Sequence, residues 1–173
     1  KLERALQQDP GSPTVQATAG LLYERLRDTD KAERYYAAAA RAGRADPNIQ
    51  NTYAGFLCRV GKHAEGERLF VETSRNGLYQ TPEVALTNAG VCARAARRDD
   101  NAERYFRDAL GLRPTYGEAL LQLANLSFDR GKDLSAQAFI QRYLGNNRES
   151  PEILWLAVRV ERHMGNAASA AEY

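Results

Sequence analysis

Residues 83–116, EVALTNAGVCARAARRDDNAERYFRDALGLRPTY, contain the pattern that decides the fold. This stretch is 34 residues long, and the same interval separates three matched pairs of residues: Cys58 and Cys92, Ala102 and Ala136, and Gly131 and Gly165. A repeat this short cannot bury its own apolar face, so it must stack on its neighbours to build a core. The interval therefore predicts an array of stacked repeats.

An interval of 34 residues is the period of tetratricopeptide repeats (TPR), each of which folds as two antiparallel helices. Small residues in these repeats let the helices approach closely, an aromatic residue fills the space between repeats, and glycine or proline ends a helix. The quoted repeat places Ala89, Ala102, Phe106 and Pro114 at such positions. The sequence thus predicts an all-α fold, a right-handed superhelical TPR solenoid.

The TPR pattern assigns residues 1–173 to a single domain of successive repeats. We expect the end of a truncated repeat at 1–12, repeats at 13–46, 47–82, 83–116 and 117–150, and a truncated last repeat at 151–173. Two repeats depart from the pattern, because the first lacks a turn glycine and the third has Arg97 at that position. The division predicts ten or eleven helices.

Composition and charge argue against several classes of partner. Charged residues make up 27% of the chain, apolar residues 43%, and the formal net charge is only +2. The densest basic run, Arg94 with Arg97 and Arg98, is followed at once by Asp99 and Asp100. Neither nucleic acid nor a bare anionic membrane is indicated by this pattern. No uninterrupted apolar stretch is long enough to span a bilayer.

The side chains that usually carry catalysis or bind metals are sparse. His63 and His163 lie 100 residues apart, and Cys58 with His63 lacks the further ligands that a closed zinc site needs. Neither a glycine-rich phosphate loop nor a nucleophile elbow is present. We therefore expect no enzymatic activity, no metal site and no cofactor.

The two cysteines occupy the first helices of adjacent predicted repeats, Cys58 at position 12 and Cys92 at position 10. Equivalent Cα atoms of packed helices are about 8–10 Å apart, so a disulfide requires the offset to bring the sulfurs inward. The alternative is two buried thiols that act as small apolar residues. The residues alone leave both alternatives open.

Positions 2, 5, 6, 9, 12 and 13 of each first helix should line the concave surface of the array. These positions give a predicted partner-binding groove of Asn51, Arg59, Asn88, Val91, Arg94, Gln122, Asn125, Phe128, Trp155 and Arg159. Amide side chains can bind a peptide backbone, arginines can meet acidic groups, and Phe128 and Trp155 offer apolar anchors. A solvated inner face with buried aromatic residues is the alternative, and for Trp155 both alternatives stay open.

Three strings are more specific than the general TPR pattern: NTYAGFLC at 51–58, LYQTPE at 78–83 and NAGVCAR at 88–94. The general pattern does not account for the two cysteines or for the insertion that ends in Thr81 and Pro82. Together the strings resemble the PilF/PilW family, TPR lipoproteins of type IV pilus biogenesis. The likeness runs over nearly the whole chain.

The resemblance implies a pilotin, a non-enzymatic factor that assists outer-membrane localisation and multimerisation of the secretin through protein–protein binding. It also implies a lipoprotein on the periplasmic face of the outer membrane, with the lipid anchor upstream of Lys1. That compartment is oxidising, which favours pairing of Cys58 with Cys92. The alternative is a generic TPR adaptor or a pilus-stabilising scaffold in another envelope or cytosolic complex.

Overall fold

The computed structural model describes residues 2–173, and in that range eleven helices and no strand occur. The helices are α1 (Leu2–Gln8), α2 (Pro13–Arg25), α3 (Thr29–Ala42), α4 (Pro47–Arg59), α5 (His63–Ser74), α6 (Pro82–Ala95), α7 (Asp99–Leu112), α8 (Gly117–Asp129), α9 (Asp133–Leu144), α10 (Pro151–His163) and α11 (Ala167–Ala170). The predicted all-α fold of paired helices is confirmed.

The helices form two compact units, of which the first ends at Arg97 and the second begins at Arg98. The first unit holds α1 to α6, and the second holds α7 to α11. The boundary lies inside the predicted repeat 83–116, so the two helices of that repeat belong to different units. Each unit therefore builds its own core and its own surface.

Prolines mark where the first helices of most repeats begin. The helices α2, α4, α6 and α10 start at Pro13, Pro47, Pro82 and Pro151. Proline suits the first turn of a helix because its fixed φ is already helical and its missing N–H needs no partner there. Capping side chains precede three of these prolines, namely Ser12, Asp46 and Ser150. These local signals fix the register of the helices that carry the groove positions.

A residue with positive φ lies in each of the connections that follow α2, α4, α6, α8 and α10. The five residues are Arg27, Gly61, Arg97, Gly131 and Gly165, with φ between 58° and 86°. Glycine adopts this left-handed conformation without side-chain strain, whereas other residues pay about 1–2 kcal/mol. The geometry explains why turn glycines recur at the 34-residue interval, and the two arginines hold the same geometry at positions where the pattern expects glycine.

The core of the first unit packs a large aromatic residue against a glycine. Tyr36 of α3 is buried together with Ala32 and Phe56, and the Tyr36 and Phe56 rings lie 4.8 Å apart. A Cβ atom at Gly20 of α2 would lie 2.8 Å from the Tyr36 ring, closer than packed atoms approach. The small residue at this TPR position therefore allows α2 and α3 to pack closely.

The core of the second unit joins α8, α9 and α10. Its buried members are Ala124, Ala136, Ile140, Ile153, Leu156, Ala157 and Val160. First helices of successive repeats also contact one another, since α2 contacts α4, α4 contacts α6, and α8 contacts α10. Each unit thus presents a surface built from neighbouring first helices.

Candidate functional site

The first helices of the first unit, α2, α4 and α6, form an open groove of about 810 Å³. Its walls are Thr14, Ala17, Thr18 and Leu21 from α2, Asn51, Thr52, Gly55, Cys58 and Arg59 from α4, and Asn88, Val91, Cys92 and Ala95 from α6. Ile49 of α4 and three residues of the second helices, Tyr36, His63 and Phe70, also line it. This volume falls in the range of about 300–1,000 Å³ that ligand sites usually have.

Four of the five groove residues predicted in this unit line the observed groove. They are Asn51, Arg59, Asn88 and Val91, of which Val91 is 43% exposed. Arg94 is half-buried on α6 and is not among the lining residues. The structure therefore brings residues of α4 and α6 together as the TPR register indicates.

The sequence-based prediction omitted the wall that α2 supplies. Thr14, Ala17, Thr18 and Leu21 occupy positions 2, 5, 6 and 9 of the repeat 13–46. These are the same positions from which residues were taken in the later repeats. The signal was therefore present in the sequence, and the same register applied to the first repeat finds these four residues.

Arg59 is held by an acidic residue of its own chain. Its Nε donates to Glu24 Oε1 at 2.6 Å and its Nη2 to Glu24 Oε2 at 3.0 Å, while the Tyr36 hydroxyl donates to the same carboxylate at 2.9 Å. The Arg59 hydrogen bond lowers the pKa of Glu24. Burial, followed by the bond to Glu24, raises the pKa of Tyr36 to about 12. The ion pair links α4 to α2 across the groove.

This ion pair leaves the groove almost neutral. Arg59 is the only lysine, arginine, aspartate or glutamate among the lining residues, and its charge is already met by Glu24. The remaining lining side chains are apolar, hydroxyl and amide groups and the imidazole of His63. An uncharged segment of a partner therefore fits the groove better than an acidic tail does.

Asn51 retains a polar atom that the fold does not use. Its side-chain oxygen is buried and has no hydrogen-bond partner within residues 2–173. An unsatisfied buried acceptor typically costs about 1–3 kcal/mol. Such a cost at a groove position points to a role outside the folding of the chain.

Cys58 and Cys92 form a disulfide that joins α4 to α6 beside the groove. Their Cα atoms are 5.6 Å apart, closer than the packing distance expected for equivalent positions. Gly66 of α5 lies against the bridge, because a Cβ atom there would overlap Cys58 Sγ and lie 3.0 Å from the Ala54 carbonyl oxygen. The small residue at this position makes room for the sulfur.

The predicted residues of the second unit lie on α8 and α10. The Arg159 guanidinium lies 4.7 Å from the centre of the Phe128 ring. Trp155, one helical turn before Arg159, is 62% exposed, so it is not buried by stacking. Gln122 donates to Glu118 within α8. The result is an exposed surface with an aromatic and a cationic side chain.

Two of the polar residues on this surface use hydrogen bonds inside their own unit. Asn125 donates to the carbonyl oxygen of Leu121 at 3.0 Å. His163 Nδ1 lies 2.7 Å from Asp133 Oδ2. The His163 and Phe128 rings are nearly perpendicular, and their centres are 5.8 Å apart. The contact with Asp133 holds the His163 ring beside Phe128.

Residues 2–173 contain no group of three or more side chains that could hold a metal ion. In the same range, no helix has the length and apolar character needed to cross a membrane.

Comparison with known proteins supports the TPR fold. A family model for the tetratricopeptide repeat matches residues 14–42, and no curated protein sequence matches significantly. Solved structures that resemble the chain include PilW, a widely conserved type IV pilus biogenesis factor, with 27% identity over 99% of this chain and 79% of its own length and a TM-score of 0.84.

Two further structures share the fold. PilF from Pseudomonas aeruginosa is 22% identical over 99% of this chain and 78% of its own length, with a TM-score of 0.81. A tetratricopeptide repeat protein from Parabacteroides merdae is 17% identical over 98% of this chain and 66% of its own length, with a TM-score of 0.74. The chain is thus a TPR protein that is similar to type IV pilus biogenesis factors.

Proposed function

We propose that this chain is a non-enzymatic type IV pilus biogenesis factor, a pilotin-like TPR protein that binds the secretin and assists its outer-membrane localisation and multimerisation. The observation that carries the proposal is the likeness to PilW along almost the entire chain. The strings at 51–58 and 88–94 add to it, because they supply walls of the groove.

The groove of α2, α4 and α6 is the proposed contact surface for the secretin. Leu21 and Val91 are 44% and 43% exposed there, so a bound segment can cover apolar surface that the fold leaves open. Burial of such surface contributes about 25 cal/mol per Å². The amides of Asn51 and Asn88 can bind the backbone of an extended segment.

The proposed location is the periplasmic face of the outer membrane, with a lipid anchor upstream of Lys1 in the full-length protein. The Cys58–Cys92 disulfide supports this location, since disulfides persist in oxidising compartments and are rare in the cytosol. A bridge at the groove wall would also keep α4 and α6 in place for binding.

A complementation experiment tests the proposal. The gene is deleted in the native host and replaced by the full-length wild-type gene, Leu21→Glu or Leu22→Glu, and heat-resistant secretin multimers are measured in membranes. Leu22 is the matched control, because it neighbours Leu21 on α2, is 42% exposed and does not line the groove. We expect deletion to abolish multimers, and wild type and Leu22→Glu, but not Leu21→Glu, to restore them.

Two outcomes would count against this function. Multimers that persist after deletion contradict the pilotin role and favour a pilus-stabilising scaffold or a generic TPR adaptor, which the general TPR fold also supports. Multimers restored by Leu21→Glu would keep the pilotin role and remove the groove as its contact surface.

A further inference from the structure

We propose that α8 and α10 form a second binding surface, which takes a peptide segment of a protein partner in which an acidic side chain adjoins an apolar one. We call it the Trp155–Arg159 surface, made of Phe128, Trp155 and Arg159. It lies wholly within the second unit. It extends the proposed function by adding a site that recognises charge, whereas the groove of the first unit is nearly neutral.

Trp155 supplies the apolar part of the surface. Its neighbours Ile153 and Leu156 are buried in the core of the unit, whereas Trp155 remains 62% exposed. The packing of α10 therefore does not depend on the indole ring. Tryptophan is enriched among the residues that dominate binding energies, because its large surface is desolvated only when a partner covers it.

Arg159 supplies the charge. Within residues 2–173, its side chain contacts the face of Phe128 and takes part in no ion pair. Arg107 and Arg130 of the same unit differ in this respect, since both bind the carboxylate of Glu103. A guanidinium without a carboxylate offers its N–H donors to an anionic group, and carboxylates accept them in pairs.

Two carboxylates of the second unit have partners other than Arg159. Asp133 is paired with His163 at 2.7 Å. Glu152, at the start of α10, is hydrogen-bonded to Ser150, which lowers the pKa of Glu152. Within residues 2–173 no carboxylate pairs with Arg159, so its guanidinium is open to an acidic side chain brought by a partner.

Helical spacing places the two groups within reach of one short peptide. Trp155 and Arg159 are four residues apart on α10, so they are neighbours on one face of the helix. Phe128 of α8 lies beneath the guanidinium and restricts its movement. A peptide with an acidic residue next to an apolar or aromatic one fits this surface, because the acidic side chain can meet Arg159 and the apolar one can cover Trp155.

Selection from a phage-displayed library of random 12-residue peptides tests the inference. The purified chain is immobilised as wild type, Arg159→Glu, Trp155→Ala or Arg148→Glu. Arg148 is the matched control, because it is an exposed arginine of the same unit that lies outside the surface, in the connection between α9 and α10. Wild type and Arg148→Glu should enrich peptides that pair Asp or Glu with an apolar residue, and Arg159→Glu should enrich Lys or Arg instead.

Affinity measurements then quantify the contacts. A synthetic peptide with the most enriched sequence should bind Arg159→Gln and Trp155→Ala at least about tenfold more weakly than wild type, the scale expected for the main residues of an interface. Unchanged far-UV circular dichroism and melting temperature show that Trp155→Ala still folds.

Two results would overturn the inference. One is the enrichment of the same peptides by wild type and Arg159→Glu, or the absence of acidic–apolar pairs from the selected sequences. The other is self-association of wild type in sedimentation velocity that Trp155→Ala abolishes, because a second copy of the chain would then be the occupant. Since only purified chain and peptides are used, failure here leaves the secretin proposal untouched.

Discussion

Reduction of the Cys58–Cys92 disulfide should lower the free energy of unfolding by about 4 kcal/mol. The bridge joins residues 34 apart in sequence, one on α4 and one on α6. The chain-entropy relation for a closed loop of this length says that the bridge removes about 13 cal/mol/K of conformational entropy from the unfolded chain. This corresponds to about 4 kcal/mol of stability at 25 °C. This would be a large share of the roughly 5–15 kcal/mol by which proteins are stable.

Urea unfolding followed by far-UV circular dichroism measures the effect. The wild type is unfolded with and without a thiol reductant, and the Cys58→Ala/Cys92→Ala variant is treated in the same way. We expect a lower midpoint for the reduced wild type and no response of the double variant to the reductant.

Two results would refute the loop-closure reasoning. One is a free energy of unfolding that changes by less than about 0.5 kcal/mol on reduction, well below the usual range for a native disulfide. The other is an equal shift in the double variant, since the reductant would then act on something other than the bridge.

Three further predictions follow from the first unit. Arg97→Gly should stabilise the fold by about 0.5–1 kcal/mol in thermal melts, because Arg97 has a φ of 58° and glycine relieves that strain; a lower melting temperature contradicts this. Gly20→Ala should destabilise it by about 1–3 kcal/mol, because its Cβ would lie 2.8 Å from the Tyr36 ring; an unchanged urea midpoint argues otherwise. The pKa of Tyr36 is raised to about 12 by burial and by Glu24. The stabilisation of the fold that this raised pKa provides is therefore fully present below about pH 10, and it is lost as the pH rises towards 12. Wild type should then lose stability faster than Tyr36→Phe over that interval, and parallel pH profiles would refute this.

Local signals made most of the fold predictable. The small residues and the prolines are short-range features, and their recurrence every 34 residues predicted the helical hairpins and their starting points. The turns show where the pattern is incomplete. Arg27 and Arg97 adopt the left-handed conformation although neither is glycine.

The groove residues that could be predicted are those whose place follows from the repeat register alone. Asn51, Asn88 and Val91 follow from the TPR positions, and Leu21 follows from the same positions in the first repeat. The pairing of Arg59 could not be foreseen in this way. Its partner Glu24 lies 35 residues away in another repeat, and no local pattern distinguishes an arginine that is held internally from one that meets a partner.

Exposure on the second unit depends on tertiary packing. The spacing of apolar residues on α10 allows Trp155 to point to either a neighbour or solvent, so the sequence left both alternatives open. Burial of Ile153, Leu156 and Val160 uses the apolar face of the helix and leaves the indole outside it. The distance between the cysteines likewise depends on how closely α4 and α6 pack.

Binding of the purified chain to the purified periplasmic region of the secretin, measured by isothermal titration calorimetry, tests the central claim most directly. We predict that Leu21→Glu weakens binding by at least about tenfold, because a charge is placed in a neutral apolar groove, and that Leu22→Glu binds like the wild type. Equal affinities for wild type and Leu21→Glu, or no binding by the wild type, would contradict the account.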